Sequence, residues 1–249
     1  MTDSHVHIGQ YYNNYYDFRD VFKVIKNNGI NEIICAYFLP RFLEKEPAIE
    51  FYEAVVEELI EAEVFSQRIG LNVRFLYWCD PFVIKEITLK KIFKKFHYYG
   101  IALHPKLHNW TGELQDQLLN IFEFCNEKKI PIYIHTGIEK IDEPMQFEPY
   151  ISKFPKVEIH LAHCKDYSSI IKLFKKYPNL LGDTAFCPKQ AYEEICKNGF
   201  KNRMLFGTDF PLTHWFHKGE CLDNEMNFEN LQTEYQLAIK ENCGSPKLS

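Results

Sequence analysis

No two of the eight cysteines stand three apart, so the chain has no CxxC pair. That absence excludes a zinc ribbon and a thioredoxin-type redox motif. Cys35 and Cys125 lie inside apolar runs (IICAY, FEFCN), which fits reduced, buried thiols in a cytoplasmic protein. There is no GxGxxG and no GxxxxGK, the fingerprints of dinucleotide and nucleoside triphosphate binding. GxSxG is missing too, and with it the nucleophile elbow of serine hydrolases. No apolar run can span a bilayer; the longest clean one is Ile33 to Leu39. The opening MTDSHVH lacks a basic segment followed by an apolar core, so no secretory signal is expected. Neither sign of charge dominates: 29 basic against 34 acidic residues give a net charge of -5. A nucleic-acid partner is therefore not expected. Repeats, low-complexity tracts and Pro/Gly-rich linkers are absent, and residues 1–249 are expected to form a single domain.

What the chain does have is alternation. Short β-branched runs at 2–8, 32–38, 72–78, 100–104, 131–135, 157–163, 180–184 and 203–208 read as strands. Between them lie amphipathic stretches such as DFRDVFKVIKNNG, with Asp17 as cap and Gly29 as stop, and TGELQDQLLNIFEFCNEKK, with Thr111 as cap. Eight strands, each followed by a helix or helical turn, predict an α/β fold, a (β/α)8 TIM barrel. Loop-like insertions at 36–50 and 210–227 would then sit at the C-terminal mouth, where barrel enzymes keep their chemistry.

Ligand-type residues recur at the strand ends. His5 and His7 end the first strand, His104 the fourth, His135 the fifth, His163 the sixth, and Asp209 the last. Alternation places Asp3, His5 and His7 on one face, and His163 on the face of Val157, Ile159 and Leu161. A lone HxH pair is weak evidence, a buried histidine is often only packing, and Asp209 in GTDFP could simply open a turn. Four strand ends together are stronger: imidazoles and a carboxylate converging on one rim suit a divalent metal with a position left for water. An aspartate beside such a water can take its proton, and a further histidine can polarise the substrate oxygen.

The segments TDSHVHIG, GIALHP, PIYIHTG, EIHLAHC and RMLFGTDFP, in that order, resemble the metal-dependent amidohydrolase superfamily in its amidohydrolase-related branch, and more distantly the TatD-like hydrolases. The resemblance implies a barrel with a divalent metal, zinc or manganese. His5, His7, His135 and Asp209 would be ligands. Asp209 would also handle the water proton, and His163 would orient or activate the water, polarise the substrate, or ligate a second metal. Binuclear members usually carry a bridging lysine or glutamate, where this chain has Ala102; that favours one ion over two. Asp3, one step deeper, is assigned to supporting the ligands. His104 and Arg41 are candidates for substrate contacts. Arg41 and Lys106 on mouth loops could hold a carboxylate or be solvated charges. The tyrosines 11, 12, 15 and 16 could form a pocket lip or pack on the first helix. Lys90, Lys91, Lys94 and Lys95 at helical spacing form a solvated face.

The expected activity is hydrolysis of an ester, amide, lactone or cyclic amide of a small molecule. The alternative is a lyase that decarboxylates or hydrates a small carboxylic acid. A barrel used only for binding would have lost a ligand, and none is lost at the matched positions. The expected partner is a small-molecule substrate, with neither nucleic acid nor membrane; assembly into a homo-oligomer is left open.

Overall fold

The computed structural model describes residues 1–11, 14–38, 49–82, 84, 86–113, 115–212 and 228–242. Its strands are β1 (Thr2–Tyr11), β2 (Asn14–Tyr16), β3 (Glu32–Phe38), β4 (Asn72–Cys79), β5 (Gly100–Leu103), β6 (Ile132–His135), β7 (Ile159–Ala162), β8 (Leu180–Asp183) and β9 (Met204–Leu205). Helices α1 (Phe18–Asn27), α2 (Ile49–Arg68), α3 (Glu86–Lys95), α4 (Pro105–His108), α5 (Gln115–Lys128), α6 (Glu148–Lys153), α7 (Tyr167–Lys176), α8 (Lys189–Lys197) and α9 (Phe228–Glu241) lie between and after them. The nine strands form one sheet in the order β2-β1-β3-β4-β5-β6-β7-β8-β9, curved into a half-barrel. Every neighbouring pair is parallel except β1 with β2.

The apolar runs become strands buried on both faces, as parallel sheets covered by helices require. In β3, EIICAYF, every residue after Glu32 is buried. Helix α1 turns Phe18, Val21, Phe22, Val24 and Ile25 to the sheet, and Arg19 N donates to the Asp17 side chain at its start. Phe22, Phe75 and Phe96 then pack edge to face or tilted, at 6.5 and 5.6 Å between ring centres. Among the described residues, no helix is long and apolar enough to cross a membrane.

Three local expectations change. YYNNYY carries no glycine turn signal, yet Tyr11 and Asn14 pair across a tight antiparallel hairpin. Tyr16 is buried in that hairpin, and Tyr15 reaches Glu58, which also accepts from Tyr37. Thr111 does not cap α5, which starts at Gln115; its hydroxyl accepts from Glu113 N instead. A 3-10 turn at Pro144–Phe147 leads into α6, too short for a periodic signal. Arg41, Tyr12, most of the 36–50 insertion and most of 210–227 lie outside the described residues.

The last strand is also shorter than expected, because the chain leaves β9 to run along β1. Phe206 O accepts from Ser4 N, His5 O from Asp209 N, and Phe210 O from His7 N, each at 2.8 Å. Val6 and Phe210 form a parallel bridge. Asp3 pins this seam from behind. Its carboxylate accepts from Thr208 Oγ1 at 2.7 Å, Tyr235 OH at 2.9 Å, Thr208 N at 3.1 Å and His5 N at 3.2 Å. The face expected for Asp3 is therefore corrected. The register of β1 shifts between Asp3 and Val6, which breaks simple alternation and turns Asp3 toward α9, away from the imidazoles. Burial pushes its carboxyl up to about 6, against the opposing pull of Thr208 and Tyr235. Asp3→Ala should strand several buried donors and cost about 3 kcal/mol, lowering Tm by about 10 °C at this chain length. Tyr235→Phe, which removes one donor, should cost about 1 kcal/mol. A thermal melt of Asp3→Ala that overlays the wild type would contradict the role of this seam.

Candidate metal centre and active site

All the candidate side chains sit where strands end. His5 and His7 project from β1 two residues apart. His135 is the last residue of β6, and Asp183 the last of β8. His104 and His163 directly follow β5 and β7, and Asp209 lies on the stretch beside β1. Strand alternation does not deliver His163. On β7 the inward residues are His160, stacked on Tyr133 at 3.9 Å, and Ala162; Ile159 and Leu161 take the opposite face. The chain instead turns left-handed at His163 (φ 68°) and Cys164 (φ 45°), which swings the imidazole into the site. Asp209 is left-handed as well, at φ 59°. Such conformations cost non-glycine residues about 1–3 kcal/mol each and cluster at functional sites.

His5 Nε2, His7 Nε2 and Asp209 Oδ1 form a tight triangle. The two nitrogens are 3.1 Å apart; the oxygen is 3.0 Å from His7 and 3.4 Å from His5. Asp209 Oδ1 is buried without a well-aligned hydrogen bond, although His7 Nε2 lies within reach of it. A tetrahedral ion with ligand bonds of about 2.1 Å sets its donor atoms about 3.4 Å apart. The triangle has that dimension, so these residues fit a divalent cation. On the far side of His5, Nδ1 donates to Asp183 Oδ2 at 2.9 Å. In the neutral ring this places the proton on Nδ1, so that Nε2, once deprotonated, turns a lone pair to the triangle. Asp183 Oδ1 accepts from His163 N and Ala185 N, both at 3.0 Å.

Electrostatics describe the same need for positive charge. Burial opposes charge on His5, but Asp209 and Asp183 outweigh it and raise its pKa to about 9. Burial would raise Asp209, yet the charge of His5 and the neighbouring His7 Nε2 hold its carboxyl well below the usual carboxylate range. His7, His104 and His135 are lowered chiefly by burial, and burial with the neighbouring His135 pushes His163 down to about 3. Without a cation, then, one imidazolium at His5 stands between two buried carboxylates.

His163 donates from Nδ1 to Ala185 O at 3.0 Å, which leaves Nε2 as an acceptor. That nitrogen lies 2.9 Å from His135 Nδ1 and 3.9 Å from Asp209 Oδ2. Among the described residues, His5, His163 and Asp209 offer ligand atoms all within 4.8 Å of one another. His135 meets this group one hydrogen bond further out; its Nε2 lies 3.7 Å from Asp142 Oδ2. His104 stacks on His135 at 3.7 Å, and its Nδ1 accepts from Leu107 N, so its proton sits on Nε2. His7 stacks on Phe38 at 4.1 Å. All face a cavity of about 490 Å³ that Phe38, Leu76, Trp78, Leu107 and Leu212 also line, a size suited to a small molecule. Tyr11 lines it too, and Lys106 does so while paired with Glu139.

Asp183 and Asp142 were not among the sequence candidates. LLGDT ends a strand on Asp183 just as LFGTD brings Asp209, and that shared position was the available signal. Asp142 has none: it comes back to His135 through a loop in which Gly137 N donates to Asp142 O, and Glu139 N to Asp142 Oδ1.

A family model described as Amidohydrolase matches residues 55–239. Comparison with curated proteins finds no match. Among solved structures, a probable 2-pyrone-4,6-dicarboxylic acid hydrolase from Acinetobacter baumannii is 12% identical, with 96% of this chain and 92% of that one covered and a TM-score of 0.64. A TatD-like protein from Archaeoglobus fulgidus is 16% identical over 97% and 93%, at 0.59. The 2,6-dihydroxybenzoate decarboxylase from Rhizobium is 13% identical over 94% and 91%, at 0.56. At these identities the likeness is one of fold.

Two outcomes follow from the buried charges. Asp183→Asn should weaken zinc binding about 10–100-fold, since an amide no longer accepts the His5 proton in the same way; unchanged affinity would contradict its orienting role. Because a cation must displace the His5 proton, apparent zinc affinity should rise about tenfold per pH unit up to about pH 9. A pH-independent titration would contradict that.

Proposed function

Since the chain belongs to the amidohydrolase family, we propose that it is a metal-dependent hydrolase of small molecules, cleaving an ester, amide, lactone or cyclic amide. The observation that carries this reading is the triangle of His5 Nε2, His7 Nε2 and Asp209 Oδ1, with its buried oxygen lacking a well-aligned hydrogen bond. The half-barrel, with 206–210 hydrogen-bonded along β1, is read as a closed (β/α)8 barrel formed by residues 1–249 as one domain. The six free cysteines among the described residues support a reducing, cytoplasmic setting.

His5, His7 and Asp209 would hold a single divalent ion, zinc or manganese. The remaining ligand is His163 by proximity, or His135 by family resemblance. When bound, such an ion supplies Lewis acidity, making a water molecule easier to deprotonate and a carbonyl easier to attack. Asp209 takes the proton of the attacking water on Oδ2, the oxygen turned away from the triangle, and passes it to the leaving oxygen or nitrogen. Where His135 is that remaining ligand, His163, with its Nδ1 proton committed to Ala185 O, works through Nε2 as an acceptor that orients the water. This makes it a poor donor to a developing oxyanion. Asp3 supports the site through the backbone of His5 and Thr208. His104, neutral and lining the cavity, offers its Nε2 proton to substrate. Arg41, outside the described residues, stays a candidate for a substrate contact.

A second reading, decarboxylation or hydration of a small carboxylic acid, uses the same residues. It is favoured by two lysines, 106 and 165, on the cavity wall. The two solved structures named a hydrolase and a decarboxylase represent these two chemistries. A panel of esters, lactones and aromatic carboxylates, scored for acid release against CO2 release, separates them. The hydrolase reading expects acid release, with Asp209→Asn reducing turnover at least about a hundredfold. CO2 release alone would replace it with the lyase, and full activity in Asp209→Asn would remove the proton role of that residue.

A further inference from the structure

We infer that Phe38 and Trp78 are positioning residues for His7, an aromatic clamp that fixes the plane of its imidazole where His5 and His163 use a hydrogen bond. This rests on the reading of the His5, His7 and Asp209 triangle as a cation site.

The three imidazoles are not held alike. His5 is oriented by Asp183 Oδ2 at 2.9 Å and His163 by Ala185 O at 3.0 Å, each through Nδ1. His7 Nδ1 is buried and makes no well-aligned hydrogen bond. The Ala36 backbone draws on the ring, but less than burial, Asp209 or His5 do. The torsion that sets the plane of an imidazole has broad wells. A ring without a hydrogen bond on its far nitrogen therefore needs packing to fix its plane. Phe38 lies flat on His7, with ring centres 4.1 Å apart and planes 12° from parallel. Trp78 meets the same imidazole edge to face, at 5.8 Å and 85°. It meets Phe38 at 5.0 Å and 81°. Turning His7 out of this plane gives up the stack on Phe38, and with it the direction in which Nε2 points.

The clamp is fixed in its turn. Phe38 ends β3 and pairs with Gly9 of β1, two residues beyond the pair of His7 with Ala36. Gly9 is left-handed at φ 91°, and a Cβ there would come 2.9 Å from Phe38 O. The close approach that sets Phe38 beside His7 thus requires glycine. Trp78, on β4, donates from Nε1 to His108 Nε2 at 3.2 Å, which ties the indole to the end of α4. Phe38 and Trp78 are both buried, and aromatic pairs in these arrangements contribute beyond the area they bury. Both also line the cavity, so one pair of side chains shapes the wall and aims the ligand.

The test uses Phe38→Leu, which keeps an apolar side chain without the ring, and Phe38→Tyr, which keeps the ring. Cobalt(II) is titrated into each metal-depleted full-length protein and followed by visible absorption. The ring protons of His7, identified by their loss in His7→Gln, are followed by NMR in the metal-free protein. Phe38→Leu should weaken cobalt binding about tenfold and alter the spectrum, while Phe38→Tyr stays within about twofold of the wild type. In the wild type the ring current of Phe38 should move the His7 protons upfield, and Phe38→Leu should return them toward the position of free histidine. Unchanged cobalt binding in Phe38→Leu would overturn the clamp. So would equal losses in Phe38→Leu and Phe38→Tyr, which would mark a role in packing alone. If Phe38→Leu does not fold, the wild-type protons decide: an upfield shift supports the stack, and its absence overturns it. A wild type that shows the shift but binds no cobalt would sink the metal reading and leave the clamp standing.

Discussion

The pairing of the first strand with the segment that follows the last one is the constraint on which the site depends. Three backbone hydrogen bonds of 2.8 Å lock Ser4, His5 and His7 to Phe206, Asp209 and Phe210. Residues roughly two hundred positions apart in the chain are thereby held side by side, and the carboxylate of Asp209 is brought to the imidazoles of His5 and His7. Asp3 stands behind the seam and gathers Thr208 and Tyr235, so the final helix is fastened to the same junction. The geometry of the triangle is a property of rigid backbone. Its side chains add direction but do not have to search for each other.

Charge is the second constraint. Two carboxylates, Asp183 and Asp209, are almost completely buried around His5. Buried carboxylates without compensation are costly, and each oxygen of Asp183 is accounted for by His5, His163 N or Ala185 N. Asp209 Oδ1 is not. The imidazolium of His5 is one form of compensation and a divalent cation is another, which ties cation binding to proton release at the same place. Three non-glycine residues in left-handed conformation, His163, Cys164 and Asp209, show that the backbone is held against its own preference where these charges meet.

Much of the fold was legible because parallel strands covered by helices are continuous apolar runs, and runs such as EIICAYF and PIYIH stand out against amphipathic neighbours. His5 and His7 were legible because alternation is local. Where the structure departs from expectation, a non-local cause is at work. A register shift in β1 turns Asp3 away from the imidazoles. A left-handed turn, made possible by Gly182 on another strand, brings in His163 against its strand parity. Asp183 looks like any aspartate before a turn until β1 is laid beside it. β1 and β2 pair antiparallel, Tyr11 with Asn14, in a stretch without the glycine that usually announces such a pairing.

The central claim is that the His5, His7 and Asp209 triangle is a divalent-cation site. Cobalt(II) titration of the metal-depleted full-length protein, followed by its visible absorption, tests it most directly, because cobalt in a low-symmetry nitrogen and oxygen site absorbs far more strongly than the aquo ion. The account expects saturation at about one equivalent, with the signal abolished in His7→Ala and competed away by zinc. Featureless absorption in the wild type, or a titration that His7→Ala leaves unchanged, would contradict it.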